Sequence, residues 1–99
     1  MSASTSRSSG EKTSDGVIVD RRSLLCGVEI ITDNSNDATV ILYDNASAAS
    51  GTKLYEGTCS GAAGAEKSKL VWFDRPVQCL NGIYLDISGT GASAIVYTG

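Results

Sequence analysis

The chain has 99 residues, 41% of them apolar, with eight Lys and Arg against eleven Asp and Glu for a formal net charge of −3. That is one domain without the basic excess that phosphate neutralisation requires, so nucleic-acid binding is set aside, and its apolar runs are too short for a membrane span. Histidine is absent, which removes the Ser-His-Asp and Cys-His nucleophile systems and the commonest general base.

Residues 1–15 are mostly Ser, Thr, Gly and Ala with a few charges. Such a segment buries too little apolar surface to offset the entropy of ordering, so it is expected to be a flexible arm, ordered only where it lies across a neighbouring subunit. It lacks the apolar stretch of a secretory signal peptide, which implies synthesis in a cytoplasm. The folded domain is expected over residues 16–99. A chain this short buries only about 60% of its unfolded surface, so association with copies or partners is the expected source of added stability.

From Gly16 onward, short β-branched and aromatic runs alternate with Gly, Asn, Asp and Ser clusters at roughly eight- to twelve-residue spacing, the pattern of a sandwich or barrel. Gly16–Asp20 reads as an edge strand or the end of the arm. Leu24–Thr32 follows as a strand with Cys26, Val28 and Ile30 on one face and Glu29 on the other, and Asp33–Asp37 turns the chain. Ala38–Tyr43 sets Val40 and Leu42 against Ile41 and Tyr43, so both faces are apolar, as in a central strand whose second side is covered by an arm or another subunit. The connection Asp44–Gly51 leads to a strand over Thr52–Cys59, and Ser60–Glu66 reads as a flexible loop.

Lys69–Asp74 alternates Leu70 and Trp72 with Val71 and Phe73. Pro76 has no amide hydrogen, so the ladder is expected to break there and a new strand to begin at Val77. Asn81-Gly82 is a tight-turn dipeptide, because both residues tolerate positive φ. Ile83, Leu85 and Ile87 then alternate with Tyr84 and Asp86, and Ser88–Gly91 reverses the chain into Ala92–Tyr97. The segments Tyr43–Glu56 and Asn81–Tyr97 read as hairpins in succession. With no helical periodicity of useful length, the expected fold is all-β, an antiparallel β-sandwich of seven or eight strands and jelly-roll type.

The residues offer little chemistry. An odd number of cysteines cannot be fully paired within one chain, so Cys26, Cys59 and Cys79 read either as small buried hydrophobes or, outside a reducing cell, as crosslinks to neighbouring subunits. Glu29, Glu56, Asp74 and Asp86 are scattered along strands with no aromatic-lined groove between them, so neither an enzymatic role nor a cofactor is expected. Asp33–Asp37 echoes a calcium loop, but Ala38 stands where the sharp turn needs glycine, and a polar turn is the expectation. Asn45-Ala46-Ser47 matches the glycosylation acceptor, an incidental match in a chain without a signal peptide. Trp72 and Phe73 sit inside a β pattern and read as core and interface packing rather than a sugar platform.

The passage Leu42–Tyr55, followed by Arg75–Gly91 and Ile95–Tyr97, resembles small β-sandwich proteins encoded among the head and tail genes of tailed bacteriophages. The resemblance implies a non-enzymatic virion component, assembled in the host bacterial cytoplasm and repeated many times. Its first implied role is that of a capsid decoration (cement) protein bound to the major capsid protein, a class that commonly forms trimers at symmetry axes. Its second is a neck or tail accessory or fibre-anchoring protein. A third alternative is a carbohydrate-binding adsorption module, with Tyr43, Tyr55, Trp72 or Tyr84 lining the platform. The candidate interface residues are Arg21, Arg22, Tyr43, Tyr55, Trp72, Phe73 and Tyr84, and the arm and the three cysteines suit a subunit that clasps or crosslinks its neighbours.

Overall fold

The computed structural model describes residues 6–62 and 64–99. Eight strands carry the fold: β1 (Arg7–Ser8), β2 (Gly16–Val19), β3 (Ser23–Ile31), β4 (Ala38–Tyr43), β5 (Lys53–Cys59), β6 (Ser68–Cys79), β7 (Ile83–Ser88) and β8 (Ser93–Thr98). They form two four-stranded sheets, in the orders β1-β8-β3-β6 and β2-β7-β4-β5. Every pairing is antiparallel. No helix occurs among the described residues, so the molecule is all-β.

Alternation builds the core. Side chains on a strand point to opposite faces in turn, and the apolar member of each alternation faces the other sheet. Val28, Ile30, Ala94 and Val96 from the first sheet meet Val40, Leu42, Ile83 and Leu85 from the second, all fully buried. Burying one such aliphatic side chain contributes about 1.5–3 kcal/mol, which makes this inter-sheet layer the main stabilising element. On β4 the second apolar row, Ile41 and Tyr43, is only half-buried and flanked by Glu56, Asp86, Lys53 and Tyr84 on the neighbouring strands.

Only β4 and β5 are joined as a hairpin, closed by the Asp44 amide donating to the Thr52 carbonyl at 2.8 Å. Every other connection between successive strands passes from one sheet to the other. The expectation of hairpins in succession is therefore corrected: β7 and β8, joined through Ser88–Gly91, lie in opposite sheets. Alternation on two flanking strands specifies a buried face for each but not a shared sheet, and Gly89 (φ 113°) and Gly91 (φ 71°) fit an arch as well as a hairpin. At Gly89 a side chain would run into the Asp37 carbonyl, so the arch packs directly on the turn that follows β3. Asn81-Gly82 likewise carries the chain between sheets, with positive φ at Gly82 alone.

Register shifts against both neighbours re-aim side chains in β3. Leu25 pairs with Val77, and Gly27 pairs with Trp72, so Phe73–Pro76 leave the ladder while Cys26 is the extra residue of β3. The ladder does break at Pro76, but no new strand begins at Val77: both halves of β6 stay on β3. The bulge also shifts parity, so that Leu25, not Cys26, joins Val28 and Ile30 in the core.

The segment expected as a free arm is in part tied to the same chain; residues 1–5 of it lie outside the described residues. Arg7 and Ser8 pair with Thr98 and Tyr97. The Ser9 amide donates to the Val96 carbonyl at 2.9 Å, and Lys12 and Ala94 exchange bonds of 2.7 and 2.9 Å. Ser93 Oγ donates to Glu11 Oε2 at 2.7 Å, and the Ile87 amide to Asp15 Oδ1 at 2.8 Å. These bonds satisfy the β8 edge, an ordering that apolar composition does not register.

Candidate docking surface

Among the described residues, the opposite margin of the same sheet has no such cover. On β8, Ala94 and Val96 bond to the N-terminal segment, so Ile95 and Tyr97 bond to their β3 partners Glu29 and Gly27. The intervening β3 residues Val28 and Ile30 then bond outward to Val71 and Lys69 of β6, and the Thr32 amide continues the series to the Lys67 carbonyl at 2.8 Å. It follows that Ser68, Leu70 and Trp72 direct their amide and carbonyl groups away from the sheet. No strand among the described residues pairs with them.

The same residues present side chains on the outer face. Leu70 is 58% exposed and Trp72 55%. Trp72 lies across Gly27, where a Cβ would come within 2.5 Å of the indole ring, so the glycine makes room for the ring to lie on the sheet. Tyr97 stands on the far side of Gly27, its ring centroid 5.5 Å from that of Trp72 at a tilt of 58°. With Ile95 and Glu29 beside Leu70 in register, the outer face carries an aromatic and aliphatic ledge that runs to the free strand margin. Trp72 is thus a surface residue, and the core role expected of it belongs to its neighbours on the other parity.

Phe73, on the same face as Val71, turns inward and meets Tyr55 of β5 edge to face, centroids 5.9 Å apart at 75°. Both are half-buried, and the Tyr55 ring lies over Gly57. Burial raises the Tyr55 hydroxyl pKa above the ordinary value. Tyr43 and Tyr84 are register partners on the outer face of the second sheet, with Val17 opposite Tyr84. Arg21 and Arg22 occupy the exposed turn between β2 and β3 and, with Arg7, line a cleft of about 560 Å³ beside Val17–Val19. Arg21 Nε approaches Asp20 Oδ1 at 3.5 Å. The seven candidate interface residues are therefore dispersed over four places, and Tyr43, Tyr55, Trp72 and Tyr84 share no common face. Leu70 and Tyr97 complete the ledge and were not singled out from sequence; only the register across Gly27 brings Tyr97 to Trp72.

All three cysteines are free thiols. Cys59 and Cys79 are buried in the inter-sheet core, and Cys26 is half-buried at the β3 bulge. Burial pushes the Cys79 thiol up to about 11, the Asp44 charge adds to the shift, and a backbone hydrogen bond from Leu25 opposes it. Asp33 spends its carboxylate on the turn, accepting the amides of Ser35 and Asn36 at 2.9 and 2.8 Å and the Asn36 side-chain amide at 3.0 Å. The Ser35 amide leads the causes that hold its pKa below the usual carboxylate value. Asn45 closes the β4–β5 loop in the same way, its Oδ1 accepting the Ser47 and Ala48 amides. No group of three or more His, Cys, Asp or Glu side chains suited to a metal ion occurs among the described residues. Comparison with models of known protein families, with curated proteins and with solved structures gives no match for the chain.

Proposed function

We propose that the protein is a structural component of a tailed-phage virion, a capsid decoration (cement) protein that attaches to the major capsid protein and bridges its subunits. The observation that carries this reading is the free β6 margin coupled to the exposed Leu70 and Trp72 side chains. A strand that offers unpaired backbone groups and apolar side chains together is an attachment surface for another chain. The strand order supports a jelly-roll reading: sheets of β1-β8-β3-β6 and β2-β7-β4-β5 are what eight strands give when a long hairpin wraps on itself. Jelly rolls recur in viral capsid and lectin domains, a fold-level analogy that raises the expectation without fixing the role.

Many shallow contacts multiplied by copy number would hold such a subunit on a shell. Mass spectrometry of purified particles tests the proposal. Hundreds of copies per particle support the shell position, small multiples of six or twelve support the neck or tail alternative, and absence from finished particles overturns both. The Trp72–Tyr97 pair, an exposed indole beside a half-buried tyrosine, favours a second reading, carbohydrate binding during adsorption. A glycan array without signal above background removes it.

A further inference from the structure

The β6 margin has a charge pattern as well as a hydrogen-bonding pattern. Lys69 alternates with Leu70 and Trp72 and is exposed, as is Lys67 before it. Neither lysine forms an ion pair among the described residues, whose two ion pairs are Arg21 with Asp20 and Lys53 with Glu56. The remaining charges near this margin are Glu66 ahead of it, Asp74 and Arg75 in the bulge beyond it, and Glu29 one strand inward beside Leu70. Over the straight part of the strand, Ser68–Trp72, and its entry, the charge is wholly positive.

This pattern selects among occupants. A second copy of β6 is disfavoured: the antiparallel register that pairs all of Ser68, Leu70 and Trp72 is centred on Leu70 and sets Lys69 diagonal to its own counterpart. A one-step slip toward the strand start sets the two lysines face to face. Like charges across strands are destabilising, and lysine on a margin is a recognised means of preventing self-pairing. A partner strand with carboxylates at the positions facing Lys67 and Lys69, and apolar residues at the alternate positions, meets the opposite condition.

We infer that β6 is a docking edge for an extended, acidic segment of a partner protein, which adds as a fifth strand to the β1-β8-β3-β6 sheet. Its backbone bonds to Ser68, Leu70 and Trp72, its apolar side chains continue the Leu70–Trp72 ledge, and its carboxylates pair with Lys67 and Lys69. The bulge at Phe73–Pro76 ends the pairing, which limits the docked stretch to about five residues. The inference rests on the proposal that the domain works by attaching to other proteins, and it names the chemistry of the partner.

The test uses the full chain labelled with nitrogen-15 and the synthetic peptide acetyl-Thr-Val-Glu-Ile-Glu-Val-Thr-amide, with a counterpart carrying Lys for Glu. The expected result is a shift of the Leu70 and Trp72 amide resonances with the acidic peptide, slowed amide exchange there, and binding at least about tenfold tighter than that of the lysine peptide, a difference that narrows with salt. Lys67→Glu/Lys69→Glu, both exposed positions, should reverse the preference while the circular dichroism spectrum stays unchanged. Equal binding of both peptides, shifts confined to residues away from β6, no shifts at millimolar peptide, or a β6-mediated dimer in sedimentation that excludes the peptide would each overturn the inference. The outcomes separate from those of the virion proposal. Particles that contain the chain while the peptide fails leave the attachment role without this edge, and peptide binding by a chain absent from particles keeps the edge and removes the virion.

Discussion

Asp44 accepts the backbone amide of Asn81 at 2.8 Å, joining the residue that follows β4 to the crossing that leads into β7, 37 positions later. The same carboxylate accepts Leu80 at 3.1 Å and Gly82 at 3.3 Å, so one side chain fixes a passage between the two sheets. Burial tends to raise its pKa, but the amides of Asn81, Leu80 and Gly82 outweigh burial and hold it below 3.8.

Asp44→Asn is expected to lower stability by about 1–2 kcal/mol at neutral pH, measured by urea denaturation, because the amide nitrogen faces donors that lose their charged acceptor. A lowered folded-state pKa means that the contribution is present above the unfolded value of 3.8 and is lost as pH falls through the folded value. The wild-type chain should therefore lose more stability in acid than the variant, and equal acid slopes would count against the anchoring role of Asp44.

At alkaline pH the sign reverses. The Cys79 thiol, raised from 9.0 to about 11, keeps its proton in the folded chain after the unfolded chain has lost it. Its stabilising contribution is complete below pH 9.0 and declines as pH rises toward 11. Cys79→Ala should flatten this decline. In the native protein, iodoacetamide labelling followed by mass spectrometry should modify Cys26 first, with Cys59 and Cys79 reacting only in denaturant.

Gly27→Ala should be costlier than a typical strand substitution. Its Cβ would meet the Trp72 ring at 2.5 Å and the Val71 carbonyl oxygen at 2.9 Å. The indole must lift from the sheet, at a cost of about 1–3 kcal/mol. Tryptophan fluorescence should shift, since Trp72 is the single tryptophan, and circular dichroism should retain the β signature.

Leu42→Ala should destabilise the fold by about 2–5 kcal/mol through lost burial and the cavity left behind. Leu42 is fully enclosed and sits between Leu85 and Tyr55 in register. Thermal denaturation supplies the measurement, and a change under about 0.5 kcal/mol would show that the site collapses on itself or that the layer is not the main stabilising element.

The all-β class and most strand positions, though not β1 or the continuity of β6, were legible because β-branched alternation is a local property: Ile83, Leu85 and the faces of Leu70 and Val71 fall as the pattern requires. Sheet membership was not. Val40 and Val96 show the same alternation, yet lie in different sheets, and nothing within seven residues of either states which partner it takes. The bulge was also hidden, since Cys26 gives up its place beside Val28 and Ile30 to Leu25 only when the register between β3 and its neighbours is known. The candidate surface was half readable: the alternation singles out Trp72, but its place on the outer face follows from the glycine it rests on and from the position of β6 at the end of its sheet among the described residues.

The position of β8 has a consequence for biosynthesis. This strand, the last of the eight in chain order, is inserted between β1, the first of them, and β3. Until Ser93–Thr98 leave the ribosome, β1 has no sheet to join and β3 lacks one flank, so a nascent chain cannot close its first layer. Closure of that layer must wait for Ser93–Thr98, and a chain cut short before them carries two exposed strands ready to aggregate.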